Sequence, residues 1–252
     1  TGEQLRDYLA IKDLVENHHA DCIGWQYQPG LLSLRPPPDL AEGLFNSTCR
    51  PESNGDTIVA ATTADQGNIL PMEMMKRLLK ARGLHQATMC HAIRWGQNSR
   101  STPGGNGRFL WLLQNYGSCS AYAYNHDPNT LAGVHSHRQP VLHFPYPGGT
   151  FSGECLPGKI TWARCYDLDG QLWMDIGRGE VVQLSPQIRD SWWNDATPQW
   201  PFMAADLGIR QDTLMANFGA NHLAMAYGDI FEEMVALSRE LGFKVRILRS
   251  AL

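Results

Sequence analysis

The sequence predicts two successive architectures: the tail of a parallel α/β domain, followed by a mainly antiparallel β-sheet or barrel domain with helices. Three observations predict it. As far as about Trp95, amphipathic stretches alternate with short apolar runs of strand length. From Phe109 onward, short strand candidates follow one another, separated by Gly- and Pro-rich turns. The first part offers only two or three strands, where an open sheet normally has about four or more. On this reading residues 1–56 are the end of an α/β region and residues 57–252 a second domain.

Gln4 to His18 has helical spacing, and Asp21 to Gln26 ("DCIGWQ") is a short apolar strand. After "RPPPDL", Asp39 is placed to cap a helix through "LAEGLFNS". The β-branched run Asp56 to Thr62 reads as a second buried strand. A helix over Pro71 to Arg82 and a strand over Gln86 to Trp95 follow, and this alternation favours a parallel sheet with function at the strand ends. Lys159 to Asp167 and Gln171 to Ile176, joined through "LDG", predict an antiparallel hairpin. Helices over Asp212 to Tyr227 and Asp229 to Leu241 then precede the strand "KVRIL".

Composition narrows the function classes. The chain has 252 residues, 43% hydrophobic and 18% charged, and lacks an apolar run of the roughly 18 to 20 residues a membrane span requires. Its formal net charge is -4, with 21 basic against 25 acidic residues scattered along the chain, which argues against a nucleic-acid surface and for a small-molecule partner. The six cysteines, Cys22, Cys49, Cys90, Cys119, Cys155 and Cys165, contain no CxxC pair, and a reducing, cytoplasmic compartment is expected.

"TPGGNGR" lacks the Lys-Ser/Thr of a phosphate-binding loop, and no G-x-S-x-G elbow occurs. His135 and His137, with His143 beyond them, have a zinc-compatible spacing but no nearby Cys or Glu-x-x-His to complete a tetrahedral set. Glu42 lies near a helix start, where a carboxylate also suits the helix dipole, and Asp65 follows a strand, where it also suits an N-cap. His222, beside Asn221 in "GANHLAMAYGD", is read as lying in the apolar first turns of a helix. Glu42, Asp65 and His222 together make a two-carboxylate, one-imidazole set, which suits Mn²⁺ or a similar divalent ion.

At these residues the sequence resembles the carboxy-terminal half of the L-fucose isomerase family, ketol isomerases that also act on D-arabinose. The pieces that carry the resemblance are "CIGWQYQPGL", "LAEGLFN", "TTADQGN", "HAIRWG", "FPYPGGTFSGE", "GKITWARCYDLDGQLWMDIGRGEV", "TPQWP" and "GANHLAMAYGD", in the family's order. The resemblance implies that Glu42, Asp65 and His222 are metal ligands, with Glu42 and Asp65 also the proton-transfer groups, and that Gln26, Trp200 and Asn221 border the sugar. It implies a metal-dependent aldose-ketose isomerase working through a cis-enediol, with Mn²⁺ or another divalent cation as cofactor and a homo-oligomeric assembly. Family members carry a first domain and most of a second before the point matching Thr1, and those regions contribute to the substrate pocket. "TTADQGN" and "QNYGSCSAYAYNHD" depart from the family's usual stretches. Two other readings therefore stand beside the enzyme: a non-catalytic sugar-binding homologue, and a truncated fragment that needs a missing amino-terminal portion.

Overall fold

The computed structural model describes residues 2–26, 30–84, 88–93, 99–101, 109–114, 117, 119–139, 145–194 and 200–249, with backbone alone at 88–93, 99–101 and 192–194. It is an α/β-type fold of helices with a parallel two-stranded sheet and a larger mixed sheet. α1 (Gly2–His18) leads to β1 (Cys22–Gly24), α2 (Asp39–Phe45), β2 (Val59–Ala61) and α3 (Gln66–Ala81). β1 and β2 lie on either side of residue 56 and pair in parallel as a two-stranded sheet.

The remaining strands form one large sheet among the described residues. They are β3 (Thr88–Ile93), β4 (Ser99–Ser101), β5 (Phe109–Gln114), β6 (His135–Arg138), β7 (Gly149–Glu154), β8 (Gly158–Leu168), β9 (Gln171–Val182), β10 (Pro201–Asp206), β11 (His222–Tyr227) and β12 (Lys244–Ile247). Six of them close on themselves. β9, β8, β11, β3, β5 and β10 are successive antiparallel neighbours, and β10 pairs back onto β9. Closure satisfies edges that an open sheet would leave unpaired. β12 and β7 add in parallel to β9 and β10, outside the ring. The short helices α4 (Tyr122–Asn125), α5 (Pro186–Asn194) and α6 (Gln211–Asn217), with α7 (Phe231–Glu240), complete the chain.

The β8–β9 hairpin turns through Asp169 and Gly170, both at positive φ (54° and 75°), with Leu168 paired to Gln171. This is the two-residue turn whose twist matches that of antiparallel strands, and an Asp-Gly pair suits it. Both strands run beyond the expected limits. Inside the ring, Trp162 lies across from Gly177, where a Cβ would come within 2.3 Å of the indole. The indole Nε1 donates to Leu207 O at 3.0 Å, so this large side chain is packed and hydrogen-bonded at once.

Three sequence expectations are corrected. The strand near residues 86–95 does not extend the parallel sheet: β3 is antiparallel to β11 and β5 in the ring. The helix expected from Pro71 begins at Gln66, because Asp65 caps it, and Pro71 sits where only one intrahelical bond is lost. The helix expected over Asp212 to Tyr227 stops at Asn217, and His222–Tyr227 is a strand. β11 lies between β3 and β8, with Leu223 and Met225 in the ring's core and Ala224 and Ala226 against the outer elements. A strand buried on both faces reads as a continuous apolar run, which periodicity does not separate from a helix.

α3 joins the two sheets. Met74, Met75 and Leu79 pack on Ala163, Cys165 and Met174 of the large sheet, whereas Met72 packs with Val59 and Ala61 of β2 and with Ala224 of β11. The N-terminus of α3 therefore begins at the seam between the small sheet and the ring. None of the helices described is long and apolar enough to cross a membrane. The cysteines with described side chains, Cys22, Cys49, Cys119, Cys155 and Cys165, are free thiols.

Candidate functional site

The seam gathers most of the residues singled out in the sequence. α2 is short, and its place is set by Asn46 at its end, which donates to Ala60 O at 2.8 Å and accepts from Ala60 N at 3.0 Å. Locking α2 to β2 in this way puts Glu42 beside the residue following β2. Thr62 Oγ1 donates to Glu42 Oε2 at 2.9 Å, and both residues are fully buried.

Asp39, one helical turn before Glu42, was read in the sequence only as a cap. It does not cap α2: the cap position is Pro38, with no side-chain bond. Asp39 is instead completely buried, and Gln139 Nε2 donates to its Oδ2. Burial first, and the nearby Glu42 carboxylate second, push the Asp39 carboxyl well above the ordinary carboxylate range. Its signal in the sequence was the i, i+3 spacing of two acids on a helix too short to present both to solvent.

Past Thr62 the chain turns sharply. Thr63 and Ala64 both take left-handed backbone conformations (φ 57° and 53°), each costing about 1–3 kcal/mol outside glycine. Gly24, at the end of β1, leaves room for this turn, since a Cβ there would lie 2.7 Å from Ala64 Cα. The turn delivers Asp65 to the start of α3, where Oδ1 accepts from Gly67 N at 3.0 Å and Oδ2 from Asn68 Nδ2 at 3.2 Å. Arg164 Nη1 donates to the same Oδ2 at 2.6 Å as a partly buried ion pair. Gly67 makes that approach feasible, because a Cβ on it would come within 2.7 Å of Arg164 Cζ.

His222 approaches from the ring. Ala163 of β8 pairs with Ala224 of β11, so Arg164 and His222 lie one and two residues beyond that pair, at the same end of the two strands. Asn221 Oδ1 contacts His222 Nδ1. With Asn221 Oδ1 accepting, the Nδ1–H tautomer of the neutral ring is the one that satisfies this contact. Asn221 is thus placed as the partner that orients His222, and it also lines an open concavity with Met215, Phe218 and Ala220. Trp200 is buried against Trp25 and Leu32, and Gln26 directly follows Trp25.

These residues converge without forming a ligand shell. Among the described residues no three His, Cys, Asp or Glu side chains are close enough together to hold an ion. As arranged, Glu42, Asp65 and His222 do not fit a shared metal, and Asp65 is engaged by Arg164 and by the helix it caps. His135 and His137 lie on the exposed strand β6, and His143 and the segment 102–108 fall outside the described residues. A second concavity of about 320 Å³, bordered by Lys159, Arg178 and Asp229, is at the far end of β8 and β11. Arg178 is committed there to ion pairs with Asp229 and Glu232.

Comparison with known proteins adds one match. A family model described as L-fucose isomerase, C-terminal domain, matches residues 114–249, more than half of the chain. The matched stretch includes Arg164, Trp200, Asn221 and His222, whereas Gln26, Asp39, Glu42 and Asp65 precede it. No curated protein matches the chain.

Proposed function

Because the chain belongs to the L-fucose isomerase family through its C-terminal domain, we propose that it interconverts an open-chain aldose of the L-fucose or D-arabinose type and its ketose. The observation that carries this reading is the family match over residues 114–249. The buried Asp39 beside Glu42 supports it, because desolvation and the neighbouring carboxylate raise the Asp39 carboxyl well above the ordinary range, so that it can hold a proton within the site.

The reaction moves a proton from C2 of the aldose to C1, while one hydroxyl proton passes from O2 to O1. Glu42, its Oε2 steadied by Thr62, takes the C2 proton to form the enediol and returns it to C1. Asp65 exchanges the hydroxyl proton. Glu42 is fully buried, with Gly117 directly against it. Trp200 and Trp25 supply an apolar wall, and Gln26 and Asn221 are the polar contacts to the sugar. Since the three ligand candidates do not form a set as arranged, no step here passes through a metal.

The test is proton NMR in D₂O with a panel of aldoses and added Mg²⁺, read as deuterium appearing at the exchanging carbon. Exchange with one sugar by the wild-type chain, lost in Glu42→Gln, supports the reading. Exchange undiminished in Glu42→Gln removes Glu42 as the base. No exchange with any aldose favours the sugar-binding homologue.

A further inference from the structure

A buried ion pair on the last strand reaches the segment that carries Asn221. Asp175 of β9 is fully buried, and Arg246, its register partner on β12, grips it with two donors. Nε donates to Oδ1 at 2.8 Å and Nη2 to Oδ2 at 2.7 Å. The Tyr166 hydroxyl adds a third hydrogen bond, to Oδ1 at 3.2 Å. A carboxylate at this depth requires its counter-charge. The same Nη2 also donates to the carbonyl of Asn217, the last residue of α6, at 2.5 Å. A helix end leaves carbonyls without intrahelical partners, and a guanidinium there satisfies one of them and suits the helix dipole.

Asn221 lies four residues beyond Asn217, and His222 begins β11. Between them Phe218 turns into the ring, edge-on to Trp162 with ring centroids 6.1 Å apart, whereas a Cβ on Gly219 would meet nothing within 4 Å. Residues 218–221 thus form a bridge that is open in its middle, and its course is set by its anchored ends. One end is the ladder of β11 with β3 and β8; the other is Asn217, pinned to Arg246. We propose that Arg246 is a positioning residue: anchored by Asp175, it fixes the course of the bridge and so holds Asn221 against His222. The inference rests on the isomerase reading for its effect on turnover. Lysine is not equivalent at this position, because an ammonium neutralises Asp175 without the planar fork that reaches Asn217 O at the same time.

The experiment is nuclear magnetic resonance of the full chain labelled with nitrogen-15, first without sugar, so that no turnover is required. In Arg246→Lys the backbone order parameters of Gly219 to Asn221 are expected to fall from the rigid range near about 0.85 to below about 0.6. The ring nitrogens of His222 should then report mixed tautomers, while the amides of β8 and β9 keep their wild-type values. Asp175→Asn combined with Arg246→Gln leaves no lone buried charge; it should loosen the same residues and decides the matter where the lysine protein does not fold. Tyr166→Phe removes a hydrogen bond to Asp175 but none to Asn217, so its bridge should match wild type even where the protein melts lower. Deuterium exchange into the aldose should slow in Arg246→Lys by up to roughly 100-fold, the cost of misplacing a group at a distance from the chemistry. Order parameters and His222 signals unchanged in both Arg246 variants overturn the inference and leave the isomerase reading intact. A loosened bridge with wild-type deuterium exchange overturns its effect on turnover. Absence of exchange with every aldose in wild type overturns the isomerase reading, while a loosened bridge still supports Arg246 as the residue that holds Asn221.

Discussion

Gly117 lies directly against Glu42: a Cβ built on residue 117 would fall 2.0 Å from Glu42 Oε2, 2.7 Å from Thr62 Oγ1 and 3.2 Å from Asp39 Oδ1. Both carboxyl groups and the hydroxyl that serves Glu42 thus face one backbone position, where any side chain would force them to shift. Gly117→Ala is expected to destabilise the chain by about 1–3 kcal/mol, the usual cost of forcing extra atoms into a packed site. It should also break the Thr62–Glu42 hydrogen bond. A thermal melt indistinguishable from wild type would show that the segment sits elsewhere.

Asp39 gives a pH dependence of known sign. Burial holds its proton in the folded chain at pH values where the unfolded chain has released it. The folded state then binds more protons, so stability falls as pH rises from the ordinary carboxylate range to the raised value, and remains lower above it. Asp39→Asn removes this fall. At pH 7 its melting temperature should exceed wild type by roughly 2–4 °C per kcal/mol recovered, and below the ordinary carboxylate range the two should converge. Melting curves from pH 3 to 8 that stay parallel would count against a neutral Asp39.

The left-handed turn before Asp65 is testable from both of its sides. Ala64→Gly removes a Cβ from a backbone conformation at φ 53° and should raise stability by about 0.5–1 kcal/mol. Gly24→Ala should lower it by about 1–3 kcal/mol, because the new methyl would meet Ala64 Cα at 2.7 Å and Ile69 Cδ1 at 2.8 Å. Denaturant titration of the two variants reads both signs.

Asn221 is exposed and contacts Nδ1 of His222, so its removal tests orientation apart from folding. Asn221→Ala should melt with wild type but, with Asn221 proposed as a contact to the sugar, slow deuterium exchange by up to roughly 100-fold, the cost of a misplaced substrate. The nitrogen-15 shifts of His222 should also show mixed tautomers. Unchanged shifts with unchanged exchange would mean that the imidazole is oriented by another group.

Much of the fold was legible because local rules and tertiary environment agreed. The Asp-Gly turn predicted the β8–β9 hairpin, and the amphipathic spacing of Gln4 to His18 predicted α1. Where the environment overrode local pattern, the reading failed. β11 was taken for a helix because a strand covered on both faces loses its alternation, and α3 begins before Pro71 because Asp65 is available as a cap.

The candidate site divides in the same way. Glu42, Asp65 and His222 stand out by residue type and by the motifs around them, since carboxylates and imidazole at element ends declare themselves in one dimension. Asp39 and Arg164 do not. Asp39 matters because folding strips its solvent and leaves it beside Glu42, and Arg164 because the β8–β11 register brings it to the start of α3, 99 residues along the chain from Asp65. Chain chemistry thus names the groups able to move a proton or hold an ion. Which of them are buried, paired or neutralised follows from desolvation and long-range contact, quantities that exist only once the chain has folded.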